Sequence, residues 1–121
     1  MKWATLVCSL MLAWSANTQL PCDHPDRIPL TVKVPNVFTP NGDGVNDLFR
    51  PEYNILSFDT YQLQVFNRAG TLIFYSDRPG MGWDGRTVSG VIAPEGSYFY
   101  VLEYAGPCEA DRLTGILNLL R

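Results

Sequence analysis

The oxygen-bearing residues between Asn41 and Asp47 are the stretch whose types and spacing best suit chemistry. The side chains of Asn41, Asp43 and Asp47 and the carbonyl of Val45 place oxygens at alternate positions of a glycine-containing turn. Ca²⁺ takes oxygen ligands of this kind, although the acidic residues that begin and end an EF-type loop are missing here. In the alternative interpretation, the Asn and Asp side chains accept hydrogen bonds from backbone amides and fix a compact turn without metal.

Candidate catalytic groups are few. Two carboxylate pairs stand out, Asp43 with Asp47 and Asp84 with Glu95, but a glycosidase needs its two carboxylates on either side of a cleft. His24 is the only histidine and lies far from any plausible activated Ser or Cys, so a nucleophilic triad is not expected. Phosphate-binding, dinucleotide-binding and helical zinc motifs are absent from the sequence. We therefore expect a protein that is not an enzyme and has no small-molecule substrate.

The cysteines suggest one cross-link. If the first 18 residues are removed as a signal peptide, Cys8 is lost, and Cys22 and Cys108 are left in an oxidising compartment. A disulfide between them would close a loop over most of the domain, but the sequence leaves open whether they pair. A metal site at Cys22, Asp23 and His24 is the weaker interpretation, because no second spaced Cys or His pair accompanies it.

Length and charge limit the partners. The chain has 121 residues, enough for one small domain with a single core. Its formal net charge of -3 argues against nucleic acid and against an anionic membrane surface as partners. The hydrophobic fraction of 46% is that of a globular protein.

The N-terminus has the pattern of an export signal. Lys2 precedes an almost entirely apolar run, Trp3 to Trp14, and small residues follow at the positions that signal peptidase recognises. We expect residues 1–18 to be a signal peptide, with a retained N-terminal anchor as the alternative. No lipoprotein motif precedes a cysteine. The protein is then expected to reach the periplasm and to be secreted or associated with the cell surface.

Downstream of the signal, the pattern is that of short strands. Residues 19–33 are expected to form an extended lead-in and a first strand. Apolar residues alternate from Ile28 to Val34, and Pro29 and Pro35 confine that strand to an edge or limit its length. Tyr61–Phe66 and Thr71–Tyr75 flank the turn Asn67-Arg68-Ala69-Gly70 and predict a hairpin. Long strands are predicted at 97–104 and 112–120. Together these segments predict an all-β, antiparallel, immunoglobulin-like β-sandwich of about seven strands.

Two aromatic features have alternative interpretations. Trp83 could be a platform for a ligand, but a single tryptophan in a small β domain more often anchors the core. Tyr98, Tyr100 and Tyr104 fall on one face of their strand, and Phe99 and Val101 fall on the other. The tyrosine face could be a surface for carbohydrate or for a partner protein, and the favoured alternative is amphipathic sheet cover with its hydroxyls in water.

Five phrases in this order resemble one family. They are VPNVFTPNGDGVNDLF at 34–49, YQLQVFNRAGTLIFYS at 61–76, GWDGR at 82–86, APEGSYFYVLEY at 93–104 and LTGILNLLR at 113–121. The segment 34–121 thereby resembles the gliding motility-associated C-terminal domain, the type B sorting domain of the type IX secretion system. Ala69 departs from the family pattern, which usually has Trp in this hairpin.

The resemblance implies a role in addressing proteins for export. It implies two partners, the type IX translocon and an associated outer-membrane barrel protein. The recognition segment would be the last strand with its exposed backbone: Leu113, Thr114, Gly115, Ile116, Leu117, Asn118, Leu119, Leu120 and Arg121. The alternative is a small exported adhesion or envelope-structural module that binds through the tyrosine face or the Asn/Asp turn. A remnant of a larger gene is a third interpretation.

Overall fold

The computed structural model describes residues 20–55 and 58–121. Within these two ranges the regular elements are all strands, so the predicted all-β class is confirmed. These residues accordingly contain no helix that could span a membrane. The predicted signal peptide, residues 1–18, lies outside the described residues. In chain order the strands are β1 Val32–Lys33, β2 Val37–Phe38, β3 Glu52–Tyr53, β4 Thr60–Phe66, β5 Leu72–Ser76, β6 Gly96–Ala105 and β7 Ala110–Leu119.

Five strands form the main sheet in the order β2-β7-β6-β4-β5, and β1 pairs with β3 in a separate two-stranded sheet. The β6–β7 hairpin is paired along its whole length, from Gly96 opposite Leu119 to Ala105 opposite Ala110. Val32 of β1 packs against the core, so the two layers are consistent with the expected β-sandwich. One pairing differs from the antiparallel expectation. The strand β2 runs parallel to β7, with Val37 opposite Asn118 and Phe38 opposite Leu119.

The core lies on one face of the main sheet and centres on Trp83. This side chain is fully buried, as predicted, and its ring centroid lies 5.2 Å from that of Phe38 and 5.1 Å from that of Tyr98. The indole Nε1–H donates to the carbonyl of Arg86 at 2.7 Å. An isolated antiparallel bridge pairs Trp83 with Phe49, which follows the Asn/Asp turn in the chain. The tryptophan is therefore a structural anchor.

The tyrosine face of β6 points into the core, which corrects the expectation of sheet cover with its hydroxyls in water. Tyr98 packs edge-on against Trp83, and its hydroxyl donates to the carbonyl of Pro94. Tyr100 packs against Phe49 with ring centroids 5.6 Å apart. Burial raises the pKa of the Tyr98 hydroxyl above its ordinary value, while the Arg121 cation opposes that shift. Tyr98 is buried, and Tyr100 and Tyr104 are half-buried against the core, so this face offers a partner much less exposed ring surface than expected.

Gly115 of β7 leaves space for the ring of Tyr100, which lies directly opposite it on β6. A Cβ at position 115 would lie 2.6 Å from the Tyr100 hydroxyl oxygen and 2.8 Å from its ring. We expect Gly115→Ala to lower the free energy of unfolding by about 1–3 kcal/mol, because the ring must leave its packed position. Urea unfolding followed by circular dichroism measures the loss. Thr114→Ala is the matched control and should change stability by less than about 0.5 kcal/mol; equal midpoints for the two variants would contradict the prediction.

The lead-in is fastened to the β6–β7 turn, although its strand is shorter than predicted. Only Val32–Lys33 of the expected 28–34 strand is paired, since prolines on both sides lack the N–H that a ladder needs. A disulfide joins Cys22 to Cys108, with the Cα atoms 5.4 Å apart. Asn54 adds a second fastening, because it accepts from the backbone N–H of Thr31 and donates to the carbonyl of Pro29.

An ion pair supports the same end of the domain. The Nη2 atom of Arg27 lies 2.6 Å from both carboxylate oxygens of Glu109. Its hydrogen bond holds the pKa of the Glu109 carboxyl below its ordinary value. A carboxyl whose pKa is lowered on folding stabilises the folded state at neutral pH, and that contribution is lost as the pH falls through the lowered pKa. We call this region, with the disulfide, the disulfide end.

Candidate functional site

The segment 39–47, which we call the Asn/Asp loop, is closed by its own side chains. Asp47 accepts hydrogen bonds from the backbone N–H groups of Asn41 (3.2 Å) and Gly42 (2.9 Å) on Oδ1 and from Gly44 (2.7 Å) on Oδ2. The Oδ1 atom of Asp43 accepts from the backbone N–H of Val45 at 2.8 Å. Gly42 and Gly44 adopt φ values of 78° and 82°, which lets consecutive N–H groups turn toward one carboxylate.

This geometry bears on the calcium prediction. Both carboxylate oxygens of Asp47 are engaged by backbone amides, and the Asn41 side-chain oxygen accepts from the backbone N–H of Asp43 at 3.1 Å. Among the described residues, no three His, Cys, Asp or Glu side chains gather as metal ligands. Calcium binding at Asn41, Asp43, Val45 and Asp47 stays a prediction, and the contacts favour the alternative in which the side chains cap backbone amides.

Arg121 draws three separate turns together. Its guanidinium donates to the carbonyl of Ala93 at 2.8 Å, with longer contacts to Gly85 at 3.3 Å and Pro40 at 3.4 Å. Its backbone N–H donates to a carboxylate oxygen of Glu95 at 2.6 Å. Because these turns are far apart in sequence, only the folded chain brings them to one place. We call this assembly of the Asn/Asp loop, the 84–86 and 93–96 turns and Arg121 the loop end.

The loop end contains a shallow polar cavity of about 250 Å³. The charged groups lining it are two acids and two arginines, which balance one another. Its lining residues are Pro40, Gly42, Asp47, Leu48, Asp84, Arg86, Ile92 and Arg121. The lining contains one member of each predicted carboxylate pair, Asp47 and Asp84. Asp84 accepts from the backbone N–H of Arg86, and Glu95 accepts from that of Arg121.

The strand β7 has an open edge along most of its length. Its neighbour β2 pairs only with Asn118 and Leu119, so residues 110–117 extend beyond it. Asn118 and Leu120 donate their N–H groups toward the β2 side. Since backbone groups alternate in direction along a strand, the N–H and C=O groups of Thr114 and Ile116 point to the same open side. In the described part of the chain, no backbone hydrogen bond reaches these two residues from that side.

An apolar row lies beside this edge on the face of the sheet away from the core. Ile116 pairs with Phe99, and Phe99 pairs with Phe66. Ile116 is 54% exposed and Phe99 is 43% exposed. The sequence does not reveal this row, because β6 is apolar on both faces and its pattern leaves open which face meets water. The alternation in β7 was the available signal, since Leu117 and Leu119 mark the buried side.

Comparison with protein families matches residues 32–119 to the CHU_C type IX secretion signal domain. The chain belongs to this family. The suspected resemblance to the type IX sorting domain is thereby confirmed. Comparison of the sequence with curated proteins gives no match. The family assigns the domain to sorting by the type IX system, and so implies interaction with that machinery and a secreted or cell-surface fate.

The structure locates the motifs on which the resemblance to the CHU_C domain was based. Four of the five phrases meet at the loop end: those containing the Asn/Asp loop, the 84–86 turn, the 93–96 turn and Arg121. The fifth contains the predicted hairpin, which is confirmed by hydrogen bonds between Asn67 and Thr71 (3.0 Å) and between Gly70 and Asn67 (2.9 Å). Ala69 is exposed at the tip of that hairpin, so its departure from the family's Trp leaves the turn intact.

The predicted recognition residues in the last strand of the CHU_C domain include both core residues and exposed residues. Leu117 and Leu119 are fully buried and serve the core, whereas Thr114, Ile116 and Leu120 are exposed. Cys22 cannot serve as a thiolate ligand in the metal site considered at Cys22, Asp23 and His24, because its sulfur is bonded to Cys108. The His24 Nδ1 atom accepts from the backbone N–H of Asp26 at 3.1 Å.

Proposed function

We propose that this CHU_C domain is a non-catalytic sorting and docking label that engages the type IX translocon and an associated outer-membrane barrel protein. In this proposal the protein enters the periplasm through its signal peptide and is then carried to the cell exterior. Docking uses the open edge of β7, where an extended segment of the partner adds as a further strand. The observation that supports this mode is the outward direction of the backbone groups of Thr114 and Ile116 beyond the end of β2.

Exposed strand edges are usually blocked, because they invite pairing with other chains. Here Arg112 is the one charged residue among Arg112, Thr114 and Ile116, and its N–H is engaged by the side chain of Asp111 at 2.7 Å. Pro35, which precedes β2, has no N–H and so cannot donate a hydrogen bond to this edge. Ile116 adds an exposed apolar side chain next to the free backbone groups. The edge therefore offers both main-chain hydrogen bonds and an apolar contact to a partner strand.

A reporter fusion tests the sorting function. Residues 19–121 are fused to the C-terminus of a reporter with a general signal peptide and expressed in cells that have type IX secretion. The reporter is expected in the medium or on the cell surface. If it stays in the periplasm while a native type IX cargo is still exported, the sorting proposal is wrong.

A proline substitution tests the docking mode. Thr114→Pro removes an N–H that faces the open edge and leaves the β6–β7 ladder its bonds, as proline is tolerated where the N–H faces solvent. Export of the fusion should fall strongly with Thr114→Pro and stay near wild type with the control Thr114→Ala. Circular dichroism and urea unfolding must first show that both variants fold. Normal export of a folded Thr114→Pro variant would contradict strand addition at this edge while leaving sorting intact.

The adhesion alternative has less support at one of its two proposed contacts. Tyr98 is buried and Tyr100 and Tyr104 are half-buried against the core, so the exposed Asn/Asp loop is the more accessible binding element in that hypothesis. It also makes a different prediction for the fusion experiment. An adhesion module added from outside would bind to cells or to an immobilised ligand, and Thr114→Pro would leave that binding unchanged.

A further inference from the structure

The Asn/Asp loop contains two dipeptides that are chemically unstable in flexible chains. Asn41-Gly42 and Asp43-Gly44 lie in consecutive positions, and all four residues are exposed. In such a pair the backbone nitrogen of the glycine can attack the side-chain carbonyl carbon of the preceding residue. Glycine favours the attack because it has no side chain to hinder the approach. An exposed loop with this sequence is therefore expected to be modified unless the fold prevents it.

The fold engages both attacking nitrogens with one carboxylate. The N–H of Gly42 donates to Asp47 Oδ1 at 2.9 Å, and that of Gly44 donates to Asp47 Oδ2 at 2.7 Å. Attack requires the nitrogen to lose its proton, and a negative charge formed beside the Asp47 carboxylate is disfavoured by like-charge repulsion. The Asn41 side-chain oxygen is held separately by the N–H of Asp43 at 3.1 Å. Nucleophile and target are thus held by different partners.

We propose that Asn41 is a latent site of deamidation and that Asp47 protects it, together with Asp43, in the folded domain. When Asp47 is disengaged, the Gly42 nitrogen loses its proton to solvent and bonds to the Asn41 Cγ atom. The bond from Cγ to the side-chain nitrogen then breaks, and that nitrogen takes up a proton and leaves as ammonia. Water opens the resulting succinimide to aspartate or isoaspartate. At Asp43-Gly44 the same ring forms with loss of water.

The modification would change the loop in a defined way. Conversion of Asn41 gives a third carboxylate between positions 41 and 47, close to Asp43 and Asp47. Like charges at this spacing repel one another and weaken the hydrogen bonds to Asp47 that closed the loop. The isoaspartate product also lengthens the backbone by one methylene group. The Asn/Asp loop is part of the loop end. Protection of Asn41 and Asp43 therefore preserves the charge and the backbone length of that surface.

Mass spectrometry of the full chain tests the proposal. Wild type, Asp47→Ala and Asp47→Asn are incubated at mildly alkaline pH, and the conversion of Asn41 and Asp43 is followed in peptide digests. Asp47→Ala should convert Asn41 roughly tenfold faster than wild type, as expected for the loss of a hydrogen bond to a charged group. Asp47→Asn keeps one acceptor oxygen and should fall between the two. Wild type unfolded in urea gives the unprotected rate.

Two controls separate loss of protection from loss of fold. Asp84-Gly85 lies outside the loop, with Gly85 buried, and its isomerisation should stay at the wild-type rate in a folded Asp47→Ala variant. In the double variant Asn41→Gln with Asp47→Ala, conversion at position 41 should almost stop, because glutamine would have to form a larger ring. Equal Asn41 rates in folded wild type and folded Asp47→Ala would overturn the proposal, and so would a wild-type rate equal to that of the unfolded chain.

Discussion

Removing the Cys22–Cys108 disulfide is expected to lower the free energy of unfolding by about 4 to 5 kcal/mol on the chain-entropy model. The two cysteines are 86 residues apart, so the bond restricts most of the unfolded domain. A small domain is stable by only about 5–15 kcal/mol, and the loss is therefore a large part of the total. Urea unfolding of the Cys22→Ser/Cys108→Ser double variant, compared with the oxidised protein, measures the effect.

The control for this experiment keeps the disulfide and removes its neighbour. Arg27→Ala breaks the ion pair with Glu109 at the same end of the domain and should cost much less, because partly exposed ion pairs contribute little. Reduction of the wild type should reproduce the midpoint of the double variant. A double variant that unfolds within about 1 kcal/mol of wild type would show that the lead-in is fastened without help from the disulfide.

Trp83→Ala is expected to cost about 3–5 kcal/mol, the range for deletion of a large aromatic side chain from a core. Trp83 is fully buried between Phe38 and Tyr98, and the substitution also leaves the carbonyl of Arg86 without its indole donor. The loss has two sources, the empty volume and the unpaired acceptor. Far-UV circular dichroism in urea is the suitable measurement, since Trp83 is the only tryptophan after residue 14 and the variant has no core tryptophan whose fluorescence could report unfolding.

A second Trp83 variant separates the effect of the empty volume from that of the unpaired acceptor, and an exposed position serves as the control. Trp83→Phe retains an aromatic ring and removes the indole donor, so its loss should be intermediate. Val88→Ala, at a side chain that is 82% exposed, should leave stability unchanged. A Trp83→Ala domain that unfolds at the wild-type urea concentration would contradict the assignment of this residue as the anchor of the core.

Local features of the fold could be predicted from sequence because their causes are local. The hairpin at Asn67 is set by its own residues, since the Asn67 side chain accepts from the N–H groups of Ala69 (3.0 Å) and Thr71 (2.9 Å). The buried side of β7 follows from the positions of Leu117 and Leu119. The Asn/Asp loop was predictable as a compact turn, and the side-chain hydrogen bonds expected from its residue types are present.

Features that depend on distant parts of the chain could not be predicted in this way. The orientation of β6 is ambiguous in sequence because Tyr98 and Phe99 are both large and apolar, and only packing against Trp83 decides which of them is buried. The parallel pairing of Val37 with Asn118 joins strands from the two ends of the domain sequence. The open edge of β7 follows from that short pairing, so the candidate docking surface became visible only in three dimensions.

The position of the disulfide also determines how the domain would bear mechanical load. A polypeptide attached upstream of residue 20 would pull on Cys22, and the covalent bond transfers that tension directly to Cys108 in the β6–β7 turn. The force bypasses the two-residue pairing of Val32–Lys33 with β3 and acts on the longest hairpin of the sheet. In the reduced protein the same tension would reach the Arg27–Glu109 ion pair first and then the short pairing. Oxidation therefore gives the tether a stronger point of attachment.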